Sequence, residues 1–364
     1  MASAFPFARR ATLPAWLCAV AAGAALAVPP PRARSREEWA ARVPDIRARV
    51  EEVMGPLPGP ADPGLRGVPA CETVSEEDAG GYRRRKIRYV AGGPPGSGAE
   101  ATVPAWLLLP AAGTRGRAPA MLCLHQTTAV GKDEPAGLGG LPDLHYADEL
   151  ARRGWVCLVP DYPRFGEYAA ADTLEGSGYE SGSMRAVWNN LRGVDLLASL
   201  EEVDAGRMGV IGHSLGGHNA IFTAAFDERL RAVVSSCGFT PFPDYYGGDL
   251  AGWTSVTYMP RIRTAYALDP ARVPFDFPEL IASLAPRGFF ASAPERDDNF
   301  AVAGVRRACA EAGPIYALFG AADRLVLATP DAGHTFPAEE RARAYAWLER
   351  VLDAAPMPRE GDQR

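Results

Sequence analysis

From residue 119 onward, short apolar runs alternate with stretches of helical period, and few architectures accept that pattern. Ala120–Leu124, Trp155–Val159, Met208–Ile211, Leu230–Ser236 and Gly288–Ser292 have strand length and are mostly apolar. Leu144–Arg153, Met184–Leu200, the stretch from His213, Phe300–Glu311 and Ala338–Ala354 read as helices between and after them. A strand with no polar face must be covered on both sides, which calls for a parallel sheet with helices above and below. Upstream the pattern differs. Val68–Val74, the alternating Tyr82–Val90 and Thr102–Leu109 are strand-like runs with no helix between them, and Gly92–Gly98 is a loop. The reading is therefore an α/β fold: a mostly parallel sheet, helices on both faces, and an antiparallel N-terminal edge.

A helix precedes this region. Ser35 and Glu38 form a capping box, Pro44 is expected to interrupt or restart the helix, and Ile46, Val50, Val53 and Met54 continue an apolar stripe to Gly55. Earlier still, Arg9 and Arg10 precede an apolar run from Ala11 to Val28, which holds Ala25-Leu26-Ala27 near its end and is followed by a proline cluster. That order of charge, apolar core and small residues predicts a signal peptide cleaved after Ala27, hence export and no stable membrane insertion afterwards. A membrane anchor is disfavoured because the run is Ala-rich and holds Thr12 and Pro14. The expected organisation is a signal peptide over 1–27, a helix and linker over 28–66, one α/β domain over 67–356 with an insert at 238–269, and a tail over 357–364.

With 38 basic against 44 acidic residues the formal net charge is −6, which speaks against nucleic acid as a partner. None of the six cysteines forms a C-x-x-C pair, so no structural zinc site is expected. Cys123, Cys157 and Cys237 lie in apolar runs, where buried free thiols are expected.

The chemistry concentrates between the third parallel strand and its helix. Gly212-His213-Ser214-Leu215-Gly216 is G-x-S-x-G in a strand–turn–helix context, the nucleophile elbow. The serine must occupy a strained turn to stand clear of the sheet, and glycines two residues either side avoid clashes there.

With this elbow the chain resembles the α/β-hydrolases over roughly residues 100–355, in particular a branch of dienelactone-hydrolase-like and acetyl-xylan-esterase-like serine esterases. The resemblance is carried by His125-Gln126-Thr127-Thr128, Pro160-Asp161-Tyr162-Pro163, the elbow, Asp297-Asp298-Asn299-Phe300 and Gly333-His334-Thr335-Phe336-Pro337. Leu215 stands where many acetyl-xylan esterases carry Gln. The chain order of the superfamily is serine, acid, histidine. His125, His145 and His213 precede Ser214, and His218 follows it inside the helix, which leaves His334 as the base. The acid should lie in the loop after Gly288–Ser292, which offers Glu295, Asp297 and Asp298. The resemblance selects Asp297, and Asp298 reads as an N-cap of the next helix. Asp244 and Asp249 are outside candidates.

Leu215 and, by position, Gln126 are the expected oxyanion-hole amides. His213 and His218 read as packing residues, too isolated for a metal site without a third ligand. Neither metal nor organic cofactor is expected. The insert is rich in aromatic residues. Tyr245, Tyr246 and Trp253, with Arg164 and Trp188 at the rim, are candidate contacts to a small-molecule or carbohydrate ester, although aromatics there equally serve to glue the insert to the sheet. The resemblance implies hydrolysis of short-acyl carboxylic esters through an acyl-enzyme. The alternatives are a prolyl-oligopeptidase-like serine peptidase without a propeller and a non-catalytic binding protein on the same fold.

Overall fold

The computed structural model describes residues 28–58, 67–93, 102–111, 116–168 and 177–354. The expected signal peptide, residues 59–66 of the linker, most of the Gly92–Gly98 loop and the tail lie outside the described residues.

Among the described residues the sheet has nine strands: β1 (Cys71–Asp78), β2 (Tyr82–Val90), β3 (Thr102–Pro110), β4 (Ala118–Leu124), β5 (Val156–Pro160), β6 (Val203–His213), β7 (Leu230–Ser236), β8 (Gly288–Ser292) and β9 (Leu325–Ala328). Their order across the sheet is β1-β2-β3-β5-β4-β6-β7-β8-β9. β1, β2 and β3 pair antiparallel, β3 joins β5 antiparallel, and β4 through β9 run parallel. The helices are α1 (Arg36–Met54), α2 (Tyr146–Arg152), α3 (Gly182–Ser199), α4 (Leu215–Phe226), α5 (Arg261–Thr264), α6 (Phe277–Ser283), α7 (Val302–Leu318) and α8 (Ala338–Asp353). Residues of α2 and α8 pack on one face of the sheet, and those of α1, α3, α4, α6 and α7 on the other. This is the α/β-hydrolase arrangement, with the antiparallel strands at one edge.

Three local readings are corrected and one helix, α6, is added. Pro44 sits inside α1 without breaking it. An interior proline costs about 3 kcal/mol. Trp39, Ile46, Val50, Val53 and Met54 are all buried, and each such side chain contributes about 1.5–3 kcal/mol, so packing outweighs the lost bond. The third parallel strand is longer than its apolar stretch: buried Val203 pairs with Ala118 of β4, and the partly exposed Asp204–Arg207 form an irregularity before regular pairing resumes at Met208. β1 starts later than Val68 and is exposed at every position. No apolar pattern marks such a strand. It is held by its ladder to β2 and by acid–arginine pairs such as Glu76 with Arg85 at 2.6 Å and Glu77 with Arg84 at 3.0 Å. Finally, α6 was not apparent as a helix from its short sequence.

The insert folds into short helical turns. Phe239, Phe242, Tyr245 and Trp253 are buried and pack on Phe275, Phe277 and Phe300, with ring centroids 5.3–6.2 Å apart across these pairs. All five cysteines among the described residues are free, and only Cys71 is exposed.

Candidate active site

Ser214 sits between the end of β6 and the start of α4, with φ 53° and ψ −116°. A serine with positive φ is strained, and such strain is held only where the surroundings over-determine it. Its amide donates to the Ser236 carbonyl at 2.8 Å, which ties the elbow to β7. The two glycines explain why the turn closes this tightly. A Cβ on Gly212 would lie 2.2 Å from the Gly216 carbonyl oxygen, and one on Gly216 would lie 2.0 Å from the Leu124 carbonyl oxygen. The second contact presses the elbow against the end of β4, where the loop carrying Gln126 begins.

His334 lies between β9 and α8. Its Nδ1 donates to Asp297 Oδ1 at 2.9 Å. The Asp297 side chain is 1% exposed and that of His334 23%. Asp297 Oδ1 also accepts from the amides of Asn299 (2.9 Å) and Phe300 (3.1 Å). Burial pushes this carboxyl up, but the His334 bond and the two amides outweigh it and hold it below its ordinary value. Asp297 is therefore an anion that fixes His334 with the proton on Nδ1, leaving Nε2 bare. The His334 ring packs 4.9 Å from that of His213, the residue before Ser214, which brings this histidine to the elbow.

The other acids are committed elsewhere. Glu295 is exposed and pairs with Arg306, Asp244 pairs with Arg307, and Asp249 accepts from the Ala251 amide. Asp298 is exposed, and it is not the N-cap expected of it. Helix α7 begins two residues later than expected, with Ala301 at its N-cap and no side-chain cap. The Asp297 carboxylate takes the turn amides instead. Asp298→Asn should accordingly leave kcat/KM within about twofold and stability within about 0.5 kcal/mol, as read by ester hydrolysis and urea unfolding.

The loop after β4 is fixed by its own histidine. His125 Nε2 lies 2.8 Å from the Tyr162 amide nitrogen. An amide only donates, so Nε2 accepts and Nδ1 carries the proton, which it donates to the Gln126 carbonyl at 2.6 Å. Burial pushes the ring down to about 4, so it stays neutral at ordinary pH. Gln126 is held a second time, its Nε2 donating to Glu134 Oε1 at 3.1 Å. Further along, the Lys132 amide donates to Asp161 Oδ1 at 2.8 Å, and its buried Nζ pairs with Asp161 Oδ2 at 3.1 Å. His125→Phe keeps the bulk and removes both bonds. The orphaned Tyr162 amide should cost about 1–3 kcal/mol in urea unfolding, with kcat lowered and KM nearly constant.

His213 and His218 are buried and pushed down to about 3 by desolvation. His218 Nδ1 donates to the Gly238 carbonyl at 3.2 Å, and its ring lies 4.7 Å from Trp253. His213 does not stand alone as the sequence suggested: it shares a cluster with His334 and Cys237. The sequence did not foretell that Cys237 meets these histidines, since a single cysteine after a strand carries no periodic signal.

Among the expected substrate contacts, Tyr245 and Trp253 are buried in the aromatic packing of the insert, and Trp188 is buried with its indole nitrogen donating to the Ala91 carbonyl. Tyr246 is 61% exposed and donates to Asn299 Oδ1 at 3.2 Å, beside the acid's loop. Arg164 is exposed with φ 77° in the loop after β5. The insert also reaches the Gln126 loop, through Tyr258 Oη to Thr127 Oγ1 at 2.9 Å. A cavity of about 780 Å³ against α1, lined by Trp39, Arg231, Arg287 and Arg324, lies at the N-terminal ends of the strands and takes no part in this site.

Residues 136–247 match the dienelactone hydrolase family. The chain is similar to the quorum-quenching protein AidA of Acinetobacter baumannii (strain MDR-ZJ06), at 32% identity over 119 residues. That alignment spans 32% of this chain and 36% of AidA, about a third of the relative's length. It is similar to the protein YtaP of Bacillus subtilis (strain 168), at 26% identity over 248 residues, covering 66% of this chain and 80% of YtaP. Among solved structures, a glucuronoyl esterase from Solibacter usitatus superposes with a TM-score of 0.64 at 18% identity, over 88% of this chain and 94% of that one. These likenesses, with the strand order above, show the α/β-hydrolase fold for this chain, and the dienelactone hydrolase match covers its residues 136–247.

Proposed function

We propose that this α/β-hydrolase-fold chain is a serine esterase that cleaves short-acyl carboxylic esters, carbohydrate esters among them. The observation that carries the reading is the buried Asp297 carboxylate 2.9 Å from His334 Nδ1, on a histidine packed against the strained Ser214 elbow. The bare Nε2 of His334 takes the proton of Ser214 as its hydroxyl attacks the ester carbonyl. The oxyanion is held by the amides of Leu215, at the first turn of α4, and Gln126, on the braced loop after β4. His334 returns the proton to the leaving alcohol. It then takes one from water, which releases the acid and frees Ser214. Asp297 keeps the imidazole in its working tautomer and stabilises the imidazolium. Tyr246 and Arg164, both exposed, are the rim residues that meet the substrate in this reading.

The solved neighbour named a glucuronoyl esterase supports a carbohydrate ester as the substrate class. We place the mature protein outside the cytoplasm, on the strength of Arg9-Arg10, the apolar run and Ala25-Leu26-Ala27. Among the described residues no helix is long and apolar enough to cross a membrane.

The test is a hydrolysis panel of p-nitrophenyl acetate, longer p-nitrophenyl esters, acetylated xylan, a glucuronate ester and a prolyl amide. Acetate or carbohydrate esters should give the highest kcat/KM. An amide cleaved faster than the acetate would favour the peptidase reading and overturn this one.

A further inference from the structure

His213, Cys237 and His334 each offer one donor atom, and the three donors lie within 4.8 Å of one another. His213 is 0% exposed, and its Nε2 is buried with no hydrogen-bond partner, while Nδ1 faces Ser236 Oγ at 3.0 Å. A buried, neutral, unpartnered imidazole nitrogen is costly unless something occupies it. Cys237 is 2% exposed and holds a φ of 47°, a left-handed backbone unusual for cysteine. Its thiol lies 3.4 Å from the Thr335 carbonyl, next to His334 in sequence. The partly exposed His334 gives solvent a route to the cluster.

We infer that His213, Cys237 and His334 form an inhibitory site for zinc or a similar thiophilic divalent ion. Two imidazoles and a thiolate with an open fourth position are a zinc donor set, with Zn–N about 2.0 Å and Zn–S about 2.3 Å. Tetrahedral geometry at those lengths puts donors about 3.3–3.5 Å apart, so side-chain rotations of about 1.5 Å or less close the site. On binding, the thiol proton leaves to solvent and a Zn–S bond forms, with no change of oxidation state. The metal removes the base through either ring nitrogen of His334. At Nε2 it blocks the proton from Ser214, and at Nδ1 it displaces Asp297.

The inhibitory effect rests on His334 being the base, but the binding does not. Two readouts therefore separate the inferences. Co2+ added to the full chain should give the near-ultraviolet thiolate-to-metal charge-transfer band. The band should persist in Ser214→Ala and vanish in Cys237→Ala, with Cys237→Ser as a second variant should the first misfold. Zn2+ in the micromolar range should suppress hydrolysis of p-nitrophenyl acetate at least tenfold in the wild type. The concentration for half-inhibition should rise at least tenfold in the cysteine variants. Absence of the Co2+ band in the folded wild type overturns the site whether or not the chain is an esterase. Equal inhibition of the wild type and both cysteine variants overturns it too, because the ion then acts elsewhere. A band that depends on Cys237 in a chain without esterase activity upholds the site and counts against the esterase reading alone.

Discussion

Ser214→Ala should fold as the wild type does and lose ester hydrolysis by about 10⁴–10⁶-fold in kcat. The large effect follows from the division of labour at the site. Without the hydroxyl, His334 and Asp297 have no nucleophile to serve, and only the oxyanion amides and substrate binding remain to assist attack by water. The substitution removes a single oxygen atom, and the backbone strain at φ 53° is shared by both residues. The unfolding midpoint should therefore stay within a few degrees of the wild-type value. Kinetics on p-nitrophenyl acetate, with circular dichroism and thermal unfolding on the same samples, provide the check. A folded variant that keeps more than about 1% of the wild-type rate would remove Ser214 from the mechanism.

Asp297→Asn carries the second largest expectation, a loss of about 10³–10⁴-fold in kcat. Oδ1 accepts from His334 and from the amides of Asn299 and Phe300 alike. An asparagine that keeps its oxygen there preserves the turn but offers His334 an uncharged acceptor, and one that turns its N–H₂ there favours the proton on His334 Nε2 and leaves no acceptor facing Ser214. The anion that stabilises the imidazolium is lost as well. KM should change little, and the fold should be retained. Set beside the near-silent Asp298→Asn, this variant decides which of two adjacent acids serves the histidine. The opposite pattern, with Asp298→Asn the damaging change, would move the role by one residue.

The elbow and the parallel strands were legible because their constraints are local. A strand buried on both faces must be apolar along its length, and β7 and β8 lie where their apolar runs do. Ser214 announces itself because a turn that tight excludes side chains at Gly212 and Gly216. His334 followed from there being few histidines and one chain order. The misses share a different origin. Pro44 looked like a break because its cost is local, whereas the burial that outweighs it comes from helices far away in sequence. β1 buries nothing, so no periodicity set its bounds, and the expected run Val68–Val74 overlaps only its first half. Asp298 looked like a cap by its type and place, but its neighbour's carboxylate already held the amides. The aromatic insert was ambiguous because composition does not say which side of a ring faces the core. Cys237 reaches His213 and His334 only through the packing of β6, β7 and the loop before α8, and nothing in its immediate sequence foretells such a meeting.

The exposed first strand has a consequence for how the molecule keeps to itself. β2 presents a full row of amides and carbonyls that would otherwise be open to a strand from another chain. β1 occupies that row while adding almost no apolar surface, and its outward acids match the arginines of β2 in register: Glu76 opposite Arg85, Glu77 opposite Arg84 and Asp78 opposite Arg83. An intruding strand would have to displace both the ladder and those matched charges. β1 therefore works as a guard rail for the sheet: it contributes little to the weight of the core, but it turns a sticky margin into a hydrated, charged one at which fibre-like stacking finds no purchase.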